Sequence, residues 1–422
     1  MVRRKISITL LSAIFGLPGC ASNTPPAQPS EQLINGLWFT GSGFEPRVAS
    51  IVDGRLAFDL PATDNATDLR GQYVIPPYCE AHNHNLGGAS EGVDDVIKAY
   101  LQSGVFYAMM PGSFALYRET ISEKLNNPDS VDVAFANNGL TGPGGHPRGL
   151  RESLMDRYGL YPEFTKETLP DKGYFEADSS SELHEKWALI LADRPDFIKV
   201  MLYFSEEYET RKDDPAYYGK TGLNPALLPE LITLAHDEGL RVAVHVESEA
   251  DMVRALRADA DIIAHLPSYD STVRLSDATI ALAAKSNTAL ITTMSLAKRY
   301  ETRSPDQYAA ILAAQKENLV RLEAANANLV LGSDNVRDTS HGEAQHLADI
   351  GALGNETLLR MWTENCAKTV FPDRKIGRLE AGYEASFLVL GDNPIASFSA
   401  TRNITMRMKE GQLLSTEAID KQ

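Results

Sequence analysis

Glu80-Ala81-His82-Asn83-His84 stands at the end of an apolar stretch, residues 73–80, that has the length of a β-strand. Side chains on a strand alternate between its two faces, so the pattern places His82 and His84 on the same side. Two imidazoles that converge in this way can share one metal ion. The pattern is common by chance, and its meaning depends on what the rest of the chain brings beside it.

Seven more stretches of strand length follow this one, and segments with apolar residues at helical spacing separate them. Strands that alternate with helices are typical of a parallel sheet. Eight of them over this length predict an α/β fold with a closed (β/α)8 barrel of the TIM type. The predicted strands are residues 73–80, 105–110, 131–137, 197–204, 241–246, 262–266, 289–293 and 329–332.

The segments before and after this region have a different sequence pattern. Their apolar runs are short and are broken by turn residues such as Asp53-Gly54. We expect residues 31–75 and 373–422 to join in one small β-sandwich built from both chain ends. The barrel then occupies residues 76–372.

The amino terminus reads as an export signal. Three basic residues within the first five precede an apolar run, residues 6–17, that is too short for a permanent membrane span. The ending resembles a bacterial lipoprotein signal, which predicts a signal peptide at 1–19, lipidation of Cys20 and a tether at 20–30. Plain secretion with cleavage near Ala21 is the alternative. We expect an exported protein of the periplasm or cell envelope, held to the membrane only by an N-terminal lipid.

The acidic composition argues against a nucleic-acid partner. The 422 residues include 40 Lys and Arg against 57 Asp and Glu, a formal charge of -17, whereas a nucleic-acid partner would require a basic face. A small-molecule substrate fits better, and a homo-oligomer is left open.

Cysteine usage gives one further expectation. With Cys20 lipidated, only Cys79 and Cys366 remain, which is too few for a disulfide framework. We expect two buried thiols there in preference to a single bridge.

Potential metal ligands lie in or just after five of the eight predicted strands. A barrel gathers the carboxyl ends of its strands around one mouth, so ligands distant in sequence become neighbours. Four imidazoles and one carboxylate suit zinc or a similar divalent ion. Besides the first histidine pair, the ligands are His245, His265, Asp334 and, inside the fourth strand, Lys199.

Lys199 interrupts the apolar run Phe197-Ile-Lys-Val-Met201. A buried ammonium is costly unless paired, and burial lowers the pKa of a lysine toward the neutral amine. That amine could capture carbon dioxide as a carbamate, whose two oxygens could bridge two cations. The alternative is a lysine that extends from an edge position to solvent.

These motifs resemble the amidohydrolase superfamily over nearly the whole mature length. The resemblance rests on Val74-Ile-Pro76 before His82-x-His84, Phe197-Ile-Lys-Val200, single histidines closing strands five and six, Gly332-Ser-Asp334, and Lys375-Ile-Gly-Arg-Leu-Glu-Ala-Gly382. The fourth strand is most similar to the branch of metal-dependent Xaa-Pro and Xaa-Arg dipeptidases and relatives of imidazolonepropionase. Glu80 departs from the family pattern, which usually has Asp there.

The resemblance implies a catalytic centre with two divalent metal ions, zinc by preference. His82, His84 and Asp334 would hold the first, His245 and His265 the second, and a carboxylated Lys199 would bridge them. The implied reaction is attack of a metal-bridging hydroxide on an amide or peptide-like C–N bond of a dipeptide, N-acyl amino acid or cyclic amide. Asp334 would carry the proton from water to the leaving nitrogen.

Two long segments, residues 139–178 and 205–221, are expected to cover the mouth and select the substrate. His146 follows the third strand and is predicted to bind the substrate carbonyl. Weaker predictions for contacts to a substrate carboxylate or carbonyl are Arg148, Arg151, Tyr203 and Tyr208. Three histidines within helical patterns, His184, His236 and His346, are read as surface or packing residues, and His341 as able to approach the mouth.

Two other functions remain open. A mononuclear aminohydrolase acting on a nucleobase-like ring would usually show His-x-x-Glu after strand five, whereas this chain has His245-Val-Glu247. A non-catalytic lipoprotein could use the same barrel to bind a ligand, but such a protein need not retain every metal ligand.

Overall fold

The computed structural model describes residues 31–61, 63, 66–87 and 92–414. The predicted signal peptide, the tether and Cys20 lie outside the described residues. Within the described part, no helix combines the length and the apolar character needed to cross a membrane.

The described residues begin with five strands of a mixed sheet, which we call the terminal sheet. They are β1 (Glu31–Phe39), β2 (Phe44–Val52), β3 (Arg55–Phe58), β4 (Ala66–Asp68) and β5 (Tyr73–Ile75). The predicted strand 73–80 is therefore wrong as a single element, because β5 ends at Ile75 and the next strand begins at Tyr78. Pro76 and Pro77 lie between them, and proline cannot donate a hydrogen bond to a strand ladder.

The central region then alternates strands and helices. Its strands are β6 (Tyr78–Glu80), β7 (Val105–Met110), β8 (Asp132–Phe135), β9 (Gly139–Thr141), β10 (Tyr174–Glu176), β11 (Ile198–Met201), β12 (Val242–His245), β13 (Ile262–Ile263), β14 (Ala289–Ile291) and β15 (Leu329–Val330). Its helices are α1 (Val93–Ser103), α2 (Ala115–Ile121), α3 (Arg148–Tyr158), α4 (Ser180–Ala192), α5 (Tyr208–Arg211), α6 (Leu228–Asp237), α7 (Glu249–Arg257), α8 (Asp277–Lys285) and α9 (Pro305–Ala324).

Three more helices and three strands complete the described chain. The helices are α10 (His341–Ile350), α11 (Asn355–Arg360) and α12 (Cys366–Val370), and the strands are β16 (Phe387–Leu390), β17 (Ile404–Lys409) and β18 (Gln412–Leu413). These strands extend the terminal sheet in the order β18-β17-β16-β5-β1-β2-β3, with β4 paired to β1. Strands from both chain ends thus share one hydrogen-bonded sheet, and an isolated bridge between Arg55 and Glu384 brings its β3 edge back to the segment before β16.

The central strands are all parallel but do not form one closed ladder. They make a three-stranded sheet, β6-β7-β8, and a seven-stranded sheet, β10-β9-β11-β12-β13-β14-β15. At the junction of β15 with β6, the Glu80 carboxylate accepts hydrogen bonds from the backbone N–H of His82 (3.0 Å) and of Ser333 (2.8 Å). The Glu80 side chain therefore joins the ends of β6 and β15, where no backbone strand pairing links them. Backbone bonds from Ala81 to Leu331 and from Asp334 to His82 reinforce the junction.

A disulfide joins Cys79 in β6 to Cys366 in α12, with the two Cα atoms 5.7 Å apart. The expectation of two buried thiols is wrong. The partners are 287 residues apart in sequence, and only the packing of α12 behind the first barrel strand brings them together.

Candidate metal centre

The first group of predicted ligands converges at the carboxyl ends of β6 and β15. The Nε2 atoms of His82 and His84 lie 3.7 Å and 3.3 Å from Oδ1 of Asp334. One ligand atom from each of the three residues falls within 4.8 Å of the others. Side chains separated by about 250 positions in sequence thus surround one ion-sized volume.

Hydrogen bonds fix the direction of both imidazoles. Nδ1 of His82 lies 2.9 Å from the carbonyl oxygen of Ala264, and Nδ1 of His84 lies 2.8 Å from that of Gly112. A carbonyl only accepts, so each Nδ1 carries the proton, and each Nε2 has a lone pair free for an ion held beside Asp334. Metal-binding histidines are commonly oriented in this way.

The backbone around Asp334 allows this close approach. A Cβ atom at Gly332 would meet the backbone N of His82 at 2.8 Å, so a side chain there would push β15 away from the first histidine. Asp334 has a φ of 49°, in the left-handed region that is costly for a residue with a side chain. The chain turns at this residue and carries its carboxylate toward the two imidazoles.

The second group of predicted ligands lies beside the first. The ring of His265 is centred 4.3 Å from that of His82 and 4.8 Å from that of His245. Nδ1 of His265 lies 2.9 Å from the Thr293 hydroxyl, which leaves Nε2 for a ligand. His245 has the opposite arrangement, because its Nε2 lies 3.0 Å from Oε1 of Glu247 and leaves Nδ1.

Burial keeps three of the imidazoles in this region neutral. It lowers the pKa of His82, His146 and His265 well below the ordinary value, and the cationic side chains nearby act in the same direction. A histidine binds a metal ion only when neutral, so the pocket holds these rings in their ligating form.

Lys199 lies in β11 with 2% of its surface exposed, and within the described residues its Nζ has no hydrogen-bond partner. Burial lowers its pKa to about 7, against the opposing pull of the Asp334 charge. An amine of this kind is neutral in a large fraction of molecules near pH 7. Together with neutral imidazoles and one carboxylate, it is a donor set that fits a pair of divalent ions.

His146 and Tyr203 also reach this group. The His146 ring is centred 5.2 Å from His245, and the Tyr203 ring is 5.9 Å from His245 and nearly parallel to it. Burial raises the pKa of Tyr203 to about 12, so its hydroxyl stays protonated.

The remaining predicted substrate contacts differ in whether they already pair with an acidic side chain. Arg148 pairs with Glu152 and Glu176, and the Tyr208 hydroxyl donates to Asp178. Arg151 is 7% exposed and lies 4.2 Å over the Phe114 ring, and no ion pair to it is found among the described residues.

The other histidines lie outside the centre. His184 and His236 are exposed and face Glu230 and Asp261 on outer helices, and buried His346 bonds to Gln315. His341 does not join the ligands, since its Nε2 donates to the carbonyl of Ser103 and its ring packs on Trp362.

Sequence reasoning missed the groups that orient the ligands. Glu247, Thr293 and the carbonyls of Gly112 and Ala264 each bond to a predicted metal ligand. Glu247 had a usable signal, because it lies two residues after a strand-end histidine. The carbonyls had none, since any residue supplies one.

Comparison with known proteins agrees with this geometry. A model of the Amidohydrolase family matches residues 176–414, more than half of the chain, a span that includes Lys199, His245, His265 and Asp334. The histidine pair that follows β6 lies before the matched span, and the structure brings it together with Asp334. No match was found among curated proteins.

Solved structures share the fold at low sequence identity. Molinate hydrolase is 17% identical with a TM-score of 0.72, covering 94% of this chain and 97% of its own. A. niger ochratoxinase is 18% identical with a TM-score of 0.70, covering 92% and 96%. A Xaa-Pro dipeptidase with methionine bound in its active site is 18% identical with a TM-score of 0.70, covering 91% and 99%. The chain belongs to the amidohydrolase family and is a hydrolase that acts on C–N bonds.

Proposed function

We propose that this protein uses two divalent metal ions, zinc by preference, to hydrolyse an amide or peptide-like C–N bond in a small molecule. The observation that carries the proposal is the convergence of His82, His84 and Asp334 beside His245 and His265, with the amine of Lys199 buried and unpaired in the same barrel. A mononuclear site would need neither the fourth histidine nor the lysine.

Lys199 would supply the bridge. Its neutral amine adds to carbon dioxide, forms an N–C bond and releases one proton, and the resulting carbamate offers two anionic oxygens. When bound, the two ions would polarise the scissile carbonyl and lower the pKa of a water molecule.

Asp334 would accept the proton of the attacking water and return it to the leaving nitrogen. Burial alone would raise the pKa of Asp334, but positive charge on His82, a hydrogen bond or charge from His84, and the charge of Lys199 in its protonated form each lower it, well below the ordinary value. The carboxylate is therefore ionised and ready to accept. His146, neutral and stacked beside His245, would donate an N–H to the substrate carbonyl oxygen.

The substrate would carry a carboxylate. Arg148 and Tyr208 are already bound to acids, whereas Arg151 has aromatic neighbours, and burial lowers its pKa. The Arg151 guanidinium donates to the carbonyl oxygen of Ser113 at 3.5 Å but has no carboxylate partner within the described residues. A buried cation without an ion pair is costly, and a substrate carboxylate would compensate it. Tyr203 would hydrogen-bond a polar group of the same ligand. N-acyl amino acids and dipeptides have this group, and the Xaa-Pro dipeptidase is one structural neighbour.

For the whole chain we propose export to the periplasm or cell envelope, with lipid on Cys20 as the sole membrane attachment, no nucleic-acid partner and a possible homo-oligomer. Labelling with a radioactive fatty acid should mark the wild-type chain but not Cys20→Ser.

The test combines metal analysis with a substrate panel. Zinc should be present at two per chain, and the loaded enzyme should hydrolyse members of a panel of dipeptides, N-acyl amino acids and cyclic amides. One metal per chain with release of ammonia from nucleobase-like rings would favour the aminohydrolase. A metal-loaded protein inert to the whole panel would favour ligand binding alone.

A further inference from the structure

His245 differs from the other histidines of the centre in the group that orients it. His82 and His84 face backbone carbonyls and His265 faces a hydroxyl, all of them uncharged. His245 faces a carboxylate, with Nε2 3.0 Å from Oε1 of Glu247. The side chains of this pair are only 7% and 13% exposed, so solvent screens the interaction little.

A second buried group holds the carboxylate in place. The Tyr269 hydroxyl donates to the same Oε1 atom of Glu247 at 2.9 Å. Burial and the adjacent Glu247 charge raise the pKa of Tyr269 far above its ordinary value, so the hydroxyl remains a donor. The Tyr269 ring also lies 5.1 Å from that of His265, the other histidine of the second group.

The backbone at Glu247 is fixed by the start of helix α7. Its N–H donates to Oδ2 of Asp251 at 3.1 Å. Asp251 and Ser248 form a reciprocal capping box at this helix terminus, and Asp251 is fully buried. The carboxylate that faces His245 is therefore anchored by rigid structure and not by a loose loop.

We infer that Glu247, supported by Tyr269, is a positioning residue that holds His245 with its proton on Nε2 and its lone pair on Nδ1. The inference rests on the proposed metal centre. A carboxylate partner makes an imidazole more basic than a carbonyl or hydroxyl partner does, and such partners commonly change metal affinity by about 10–100-fold. Glu247 would thus set the affinity of the metal bound by His245 and His265, and leave the other metal unaffected.

The experiment measures zinc affinity in competition with a chromophoric chelator, and the visible spectrum after loading with cobalt(II). Glu247→Ala should weaken one of the two zinc ions by about 10–100-fold and change the cobalt spectrum. Glu247→Gln keeps an acceptor oxygen for His245 but removes the charge, so it should recover only a part of the lost affinity. Tyr269→Phe should have a smaller effect in the same direction, because it removes the hydrogen bond to Glu247 but leaves the contact between Glu247 and His245.

The matched control is Glu230→Ala. Glu230 lies 2.9 Å from Nε2 of His184, the same pair of chemical groups, but on exposed helices away from the centre. This variant should bind both zinc ions as the wild type does.

Glu247→Ala with unchanged affinity for both ions and an unchanged cobalt spectrum would overturn the inference. If Glu247→Ala fails to fold, Glu247→Asp provides the same test, because it keeps the charge but shortens the reach to His245; wild-type affinity in that variant would also overturn it. A wild-type chain that binds fewer than two zinc ions would overturn the binuclear proposal itself, and this outcome is visible before any variant is made.

Discussion

Two lysines are buried to a similar degree in different regions of this molecule. Lys409, at the end of β17, is fully buried, and its Nζ donates to Asp132 at 2.8 Å and to the carbonyl of Asn127 at 2.6 Å. Lys199, in β11, is 2% exposed and its Nζ has no partner within the described residues. The first shows how this fold satisfies a buried ammonium. The second lies among the side chains predicted to bind metal ions. We propose that its amine is free to react with carbon dioxide.

Burial alone does not determine the role of a lysine. Asp132 also accepts from Arg374 at 2.7 Å, so the Lys409 cluster is an ion-pair network that ties the terminal sheet to the start of β8. Lys199 has no such network, and burial lowers its pKa to about 7. One lysine therefore has the partners of a structural ion pair, and the other would supply chemistry under the proposed function.

The largest expected effect is the loss of activity in Lys199→Ala. Removal of the bridge should lower turnover by roughly 10³-fold, or about 4 kcal/mol of transition-state stabilisation, and should reduce the zinc content. Steady-state kinetics and metal analysis of the same preparation measure both. Two zinc ions per chain with full turnover would show that Lys199 is no bridge.

Lys409→Met should act on stability instead. It leaves Asp132 buried with only Arg374 as cationic partner, and breaking a buried pair costs about 3 kcal/mol or more. Urea unfolding should show this loss, while the folded variant keeps its zinc content. Loss of zinc at unchanged stability would contradict the division of roles between the two lysines.

The pH dependence of carbon dioxide capture should distinguish Lys199 from an ordinary lysine. Only the neutral amine reacts, so below a pKa of about 7 the reactive fraction falls about tenfold for each unit of decreasing pH, and above it the fraction levels off. The rate at which metal-free protein regains activity, at fixed dissolved carbon dioxide and fixed zinc, should follow this curve. A rate still rising tenfold per unit at pH 9 would indicate an ordinary lysine.

The smallest expected effect is a gain in stability. Lys199→Met replaces an unpaired buried amine with an apolar side chain of similar length, so the metal-free protein should become more stable by about 1 kcal/mol. Urea unfolding of both metal-free proteins measures the difference. A loss of 3 kcal/mol or more, as expected for Lys409→Met, would mean that Lys199 has a structural partner.

Much of this site could be predicted because strand periodicity and the geometry of parallel strands act locally and repeatedly. Alternation along one strand predicted the pairing of His82 with His84; the strand ends at Glu80, and the two rings meet just beyond it, 5.3 Å apart. The shared mouth explains why His245, His265 and Asp334 lie beside them. Helices also occur between the strands, where apolar residues recur at helical spacing, as in α8, Asp277–Lys285.

What escaped prediction depends on contacts that sequence spacing does not encode. The apolar run 73–80 crosses two proline residues, and its halves enter different sheets. The bridge between Cys79 and Cys366 joins elements at opposite ends of the barrel sequence. The support of His245 by Glu247 and Tyr269 requires the chain after β13 to fold back onto that after β12.

The most direct measurement of the central claim is a crystal structure of the zinc-loaded protein with diffraction data collected at the zinc absorption edge. We predict two anomalous peaks about 3.5–4 Å apart, one beside His82, His84 and Asp334 and one beside His245 and His265, with density for a carbamate on Lys199 between them. A single peak, or a Lys199 side chain directed away from the metal, would contradict the account.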